Sequence, residues 1–112
     1  MITQAYTIST VKNAVPPKVK MSQYDHDSRT IIFTVVDEDG EAVDLTGKTV
    51  TVKGTRIDGV TFTAACTVSG ATATFTENLD MTSAAGDHTA ELSITGEGRL
   101  GTANFIIAVE AM

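Results

Sequence analysis

The run VTFTAACTVSGATATF, Val60 to Phe75, constrains this chain more than any other stretch. Val60, Phe62, Ala64, Cys66 and Val68 fall on one side of an extended backbone, and Thr61, Thr63, Ala65 and Thr67 on the other. Past Ser69-Gly70, the residues Ala71, Ala73 and Phe75 alternate with Thr72, Thr74 and Thr76 in the same way. Successive side chains of a strand point to opposite faces, so a period of two marks a half-buried sheet. Ser69-Gly70 reads as a two-residue hairpin loop, because its neighbours Val68 and Ala71 then share a face and both are apolar. The rest of the chain has to supply a second sheet that covers this apolar face.

Composition narrows what that second sheet can be built from. A chain of 112 residues is one domain. Hydrophobic residues make up 42% but aromatic residues only 5%, with no Trp, so the core must come from Val, Ile, Leu, Ala and four Phe. The many threonines favour strands, since a β-branched side chain fits a pleated surface better than a helix. The net charge of -6 argues against nucleic acid as a partner, which needs a basic face, and against an anionic membrane surface. The N-terminus has no basic region followed by an apolar run, and no stretch approaches the roughly 20 apolar residues of a membrane helix. Synthesis in a cytoplasm without membrane insertion is the expectation. Cys66 is the single cysteine, so no disulfide forms within the chain, and its phase with Phe62 and Val68 reads as a small buried hydrophobe.

In order, residues 1–20 read as an N-terminal arm or edge strand ahead of a sandwich over residues 21–112. Tyr6 and Ile8 alternate with polar neighbours, Val15-Pro16-Pro17 breaks any ladder, and Lys18 to Met21 resumes as an edge strand. Thr30 to Val36 is a strand with Ile31, Phe33 and Val35 on one face. Its other face carries Ile32 and Val36, so something outside the sheet is expected to cover it. A turn at Asp37-Glu38-Asp39-Gly40 and a short strand at Val43 to Leu45 follow. Thr49 to Ile57 joins the opening run through Asp58-Gly59, a strong hairpin signal. Val50 and Val52 are out of phase with Ile57, which predicts one extra residue in that strand, a β-bulge at Lys53 to Thr55 centred on Gly54. Leu79 and Met81 are expected to cap one end of the sandwich. Asp87 to Thr95 then turns Ala90, Leu92 and Ile94 inward. After a loop at Gly96 to Arg99, Leu100 to Glu110 does the same with Ala103, Phe105, Ile107 and Val109. The fold class is all-β, an immunoglobulin-like β-sandwich of about seven antiparallel strands.

No reaction follows from these residues. Tyr24, Asp25, His26, Asp27 and Arg29 put two carboxylates beside a histidine, yet no second cluster stands at a fixed spacing, so a solvated turn is the reading. Asp37, Asp39 and Glu41 resemble the start of a calcium loop but lack its distal glutamate. His88 shares the phase of Ala90 and Leu92 and reads as a core-edge histidine. Gly96 and Gly98 lie between strands, which is no phosphate loop. Neither an enzyme, a cofactor nor a metal site is expected.

Three runs carry a family resemblance: SQYDHDSRTIIFTVVDEDGEAVDLTGKTVTVKGTRIDG, FTAACTVSGATATFTENLDMTSAAGDHTAEL and GRLGTANFIIAVE. Their most specific parts are Ser22 to Phe33, Val43 to Gly47, and Arg99 to Phe105. Across Val19 to Glu110 the chain resembles the N-terminal domain of phage baseplate upper proteins. The resemblance implies a structural, non-enzymatic sandwich in the virion of a tailed phage, often encoded by a prophage. It implies docking onto the central tail hub, with other baseplate or tail proteins as partners. A further part of a longer chain would link to host receptor-binding proteins, and the present chain ends just after the last strand. Candidate interface residues are Tyr6, Ile8, Tyr24, Ile32 and Val36, reached from the arm and the second apolar side of the first long strand. The arm joining copies into a homo-oligomer and the arm lying over Ile32 and Val36 of its own domain are the two alternatives. Arg29 and Arg99, which recur in the matching runs, serve either an interface or a salt bridge between loops. A carbohydrate-binding or adhesin-type sandwich is the rival reading, opposed by the lack of Trp and by having only Tyr6 and Tyr24 as exposed rings.

Overall fold

The inward-facing residues picked out by alternation meet in one core between two sheets. The computed structural model describes residues 2–11, 15–96 and 99–112, with the backbone alone at Arg99 and Leu100. In chain order the strands are β1 (Ile2–Ser9), β2 (Lys18–Ser22), β3 (Arg29–Val36), β4 (Thr49–Thr55), β5 (Thr61–Ala65), β6 (Thr67–Ser69) and β7 (Thr72–Thr76). A one-turn helix α1 (Leu79–Thr82) leads to β8 (Gly86–Gly96) and β9 (Arg99–Glu110). The first sheet has the order β1-β3-β7-β6, and the second β2-β9-β8-β4-β5. Phe33 is the centre of the core: its ring lies 4.8 Å from Phe105 and 6.0 Å from both Phe75 and Tyr6.

The segment expected as an arm contributes an edge strand to each sheet. β1 pairs in parallel with β3, and β2 in parallel with β9, so the sandwich is antiparallel only among its later strands. The two prolines sit where their missing N–H costs nothing, and the Pro17 carbonyl accepts the Ile106 N–H at 2.9 Å to open the β2–β9 ladder. The arm does not lie over the outer side of β3. It continues that side instead, with Ala5 in register with Ile32 and Ser9 with Val36.

Four details differ from the sequence reading. The ladder runs unbroken through Gly54, which pairs with Phe62 on one side and Ala90 on the other, so there is no bulge. The extra residue sits in the loop. Arg56 N–H bonds the Val60 carbonyl at 2.8 Å, Gly59 N–H bonds the Arg56 carbonyl at 2.9 Å, and Gly59 has φ +92°. That is a three-residue hairpin ending in a left-handed glycine, and it leaves Ile57 and Val60 at 68% and 43% exposure. The second hairpin loop is Gly70-Ala71, so Val68 pairs with Ala73 and not with Ala71.

Val43 to Leu45 is no strand. Leu45 is a buried plug, its N–H bonded to the Gly70 carbonyl, after an isolated bridge between Val36 and Ala42. Finally, Val60 to Val68 is not one strand but two. The chain leaves the second sheet after Ala65 and enters the first at Thr67, with Cys66 as the crossing residue. Of the expected end caps, Met81 is wholly buried, whereas Leu79 stays in solvent. Asn78 caps α1 by accepting the Met81 N–H at 3.1 Å.

Candidate assembly surfaces

The polar run before β3 folds into a knot around a residue that the sequence did not single out. Glu77 follows Ala73 and Phe75 in phase at the end of β7 and is wholly buried. Its Oε1 accepts the backbone N–H groups of Ser28 and Arg29 at 2.9 and 3.0 Å, and its Oε2 accepts the Ser28 hydroxyl at 3.1 Å. Arg29 stands 3.7 Å from the same carboxylate and forks onto Asp25 at 3.3 Å. The guanidinium also donates to Ser22 Oγ and Gln4 Oε1. A buried charge is tolerable only when paired and hydrogen-bonded, and here both oxygens of Glu77 have donors. Asp25 and Arg29 therefore tie β1, the β2–β3 loop and the end of β7 together, whereas the Asp27 carboxylate stays in solvent beside His26. No group of three metal-ligating side chains forms among the described residues.

Other singled-out residues are also accounted for locally. The Asp37 carboxylate accepts the N–H groups of Asp39 and Glu41, which shapes the charged turn. His88 is buried. Its Nδ1 accepts the Ile57 N–H at 3.0 Å and its Nε2 donates to the Ala84 carbonyl at 2.9 Å, which fixes the Nε2–H tautomer and ties the β4–β5 loop to the entry of β8. Burial pushes the Cys66 thiol up to about 11, against a weaker opposing backbone hydrogen bond, so it is a poor nucleophile. At the same hairpin, hydrogen bonding to Arg56 holds the Asp58 carboxyl down at about 2. The Arg99 side chain and the loop at Glu97-Gly98 lie outside the described residues.

The two outer faces differ in charge. On the second sheet the outer face carries Lys18, Lys20, Lys53, Asp87, Glu91 and Glu110. On the first sheet the outward positions of β1 are threonine, alanine and serine, and those of β7 and β6 are threonine and serine. β3 adds Thr30, Ile32, Thr34 and Val36 in the middle. Among the described residues this face carries no ionisable side chain, on a chain of net charge -6.

The sequence-derived interface residues separate accordingly. Ile32 and Val36 share the uncharged face, half-buried by their neighbours. Tyr6 points the other way, its ring on Phe33 and its hydroxyl accepting the Gln4 amide at 2.9 Å. Ile8 is 1% exposed and belongs to the core, so the folded domain does not present it. Tyr24 stands apart in the loop before β3, at φ 70° and 53% exposure, and its N–H bonds the Thr82 carbonyl.

The model of the BppU N-terminal domain, the N-terminal domain of the baseplate upper protein, matches residues 2–112. The chain belongs to that family. BppU N-terminal domains are phage baseplate components, which makes this chain a structural baseplate protein. Among solved structures it is similar to the N-terminal domain of phage TP901-1 ORF48, with a TM-score of 0.69 at 17% identity over 98% of this chain and 99% of that one. At that identity the likeness establishes the fold, the same sandwich over its whole length. Among curated proteins none matches the chain. The BppU match extends through β1, ahead of the Val19 to Glu110 stretch in which the resemblance was legible.

Proposed function

We propose that this domain is a docking module, holding its protein on the central tail hub and linking the hub to the proteins that recognise the host. Membership of the BppU N-terminal domain family supports the setting. The observation that carries the docking role is the uncharged outer face of β1, β3, β7 and β6, with Ile32 and Val36 at its middle. The centre of a protein interface is depleted in charge, because each desolvated ion must be paired or it weakens binding. A chain with 14 acidic residues that keeps all of its described ones off one sheet face presents that face for contact. A sugar-binding surface would want exposed flat rings, and this face has none among the described residues.

Ile32→Lys places an unpaired charge in the middle of the face without touching the core. Binding of the purified domain to the hub protein, followed by calorimetry, should weaken at least tenfold, about 1.4 kcal/mol or more. Lys53→Glu on the opposite sheet serves as control and should bind as the parent does. Hub binding that survives Ile32→Lys but fails with Lys53→Glu would move the docking surface to the second sheet.

A further inference from the structure

The four edges of the two sheets are protected unequally. β2 carries Lys18 and Lys20, and its Lys20 carbonyl accepts the Gln4 amide at 3.2 Å. β5 spans five residues, and Asn78 Nδ2 donates to its Thr63 carbonyl at 3.1 Å. β6 spans three residues. Charge, brevity and side-chain caps are the devices that stop an edge from pairing with another chain. Among the described residues β1 has none of them. It is eight residues long, ITQAYTIS, without charge, proline or glycine.

Its backbone groups are set out for pairing. The N–H groups of Ile2 and Thr10 bond the Ser28 and Val36 carbonyls, so the even-numbered residues of β1 face β3. A parallel ladder then turns the N–H and C=O of Thr3, Ala5, Thr7 and Ser9 away from the sheet. Thr3, Ala5 and Thr7 are exposed, whereas the outward residues of the flanked strand β3 are half-buried.

We propose that β1 pairs antiparallel with β1 of a second copy, joining two four-stranded sheets across a two-fold axis at Tyr6. In that register Thr3 opposes Ser9 of the second copy and Ala5 opposes Thr7, so every outward donor meets an outward acceptor. A shift of one residue would set outward-facing groups against inward-facing ones, and among the registers left the one centred on Tyr6 engages all four outward residues. The Tyr6 side chains then meet across the axis as a cross-strand aromatic pair. Two copies of net charge -6 repel each other in general, but the edge and the face it continues hold no charge to oppose contact. The two strands would meet along about 26 Å, short of the roughly 1,000 Å² of a stable interface. Association is therefore weak in dilute solution and strengthens where copies are held side by side. Such pairing goes beyond hub docking and does not depend on it.

The test is sedimentation velocity on the full chain from about 10 µM to about 1 mM, the range in which a short edge contact shows. Ala5→Pro removes an N–H that points away from β3, and Ala5→Lys adds an edge charge on the outer side, so one variant stands if the other fails to fold. Both are checked by circular dichroism. The parent should show a concentration-dependent dimer that each folded variant weakens at least tenfold. Amide exchange at Thr3, Ala5, Thr7 and Ser9 should slow as concentration rises. A parent that stays monomeric at the highest concentration, or a dimer indifferent to both variants, overturns the proposal. Hub binding is measured separately, so the loss of one of the two contacts leaves the other standing.

Discussion

A Cβ added at Gly54 would collide with Cζ of Phe62, its cross-strand neighbour, and lie 2.6 Å from the Thr89 carbonyl oxygen. The buried ring of Phe62 thus occupies the space of the missing side chain. That close approach, and not a bulge, is what glycine provides in the middle of a three-stranded ladder. Gly54→Ala should destabilise the domain by about 2–3 kcal/mol, the cost of an overpacked core, read as a lower urea midpoint with an unchanged slope. A variant as stable as the parent would mean that Phe62 can swing aside.

Glu77 is the other single point on which the fold depends. Glu77→Gln keeps the shape but removes the charge that Arg29 pairs with and, with its amide oxygen left on the two backbone N–H groups, turns its NH2 toward the Arg29 guanidinium. Breaking a buried, hydrogen-bonded pair costs about 3–5 kcal/mol. Asp87→Asn, which breaks the exposed contact with Lys18, should change stability by under about 1 kcal/mol. Chemical denaturation of the two variants side by side gives the comparison.

Cys66 gives a pH-dependent readout. With its thiol raised to about 11, the thiolate fraction at pH 8 is about one in a thousand, against roughly a tenth in an unfolded chain at the ordinary value near 9. Alkylation at pH 8 should be about a hundredfold slower in native protein than in urea. The neutral thiol is the form that the fold favours, so Cys66 supports folding below its ordinary value near 9. That support is lost as pH rises toward about 11. Native labelling as fast as denatured labelling would place Cys66 outside the sandwich.

Residues 1–20 are not removable. Ile8 and Val19 are buried in the core, and β1 and β2 close one side of both sheets. Losing the two side chains alone should cost more than about 4 kcal/mol, a large part of the stability of a domain this size. The truncated chain is expected to lose cooperative thermal unfolding by circular dichroism.

The layers of the fold were legible because Ile31, Phe33, Val35, Leu92, Phe105 and Ile107 alternate without interruption, and burial follows that alternation directly. The change of sheet at Cys66 was not legible. Phe62, Ala64, Cys66 and Val68 all point inward, and the period of two is the same whether a strand keeps its sheet or crosses to the facing one. The loop at Ile57 to Gly59 was misjudged by one residue because Asp-Gly marks two-residue and three-residue hairpins alike. Glu77 carries a signal in the sequence: continuing the phase of Ala73 and Phe75 by one step turns it inward. The uncharged face was visible only in part, through Ile32 and Val36, since its extent depends on which strands lie side by side.

The crossing at Cys66 has a mechanical consequence. On one flank the main chain passes directly from β5 in one sheet to β6 in the other, and on the opposite flank the N-terminal segment passes from β1 to β2. Both margins are sewn with covalent bonds. A pull that tries to slide one layer over the other at the β5–β6 flank loads the peptide bonds at Cys66 together with the oily contacts between the layers. Within a baseplate component such a module behaves as a washer, its two layers held together at that flank by the chain itself.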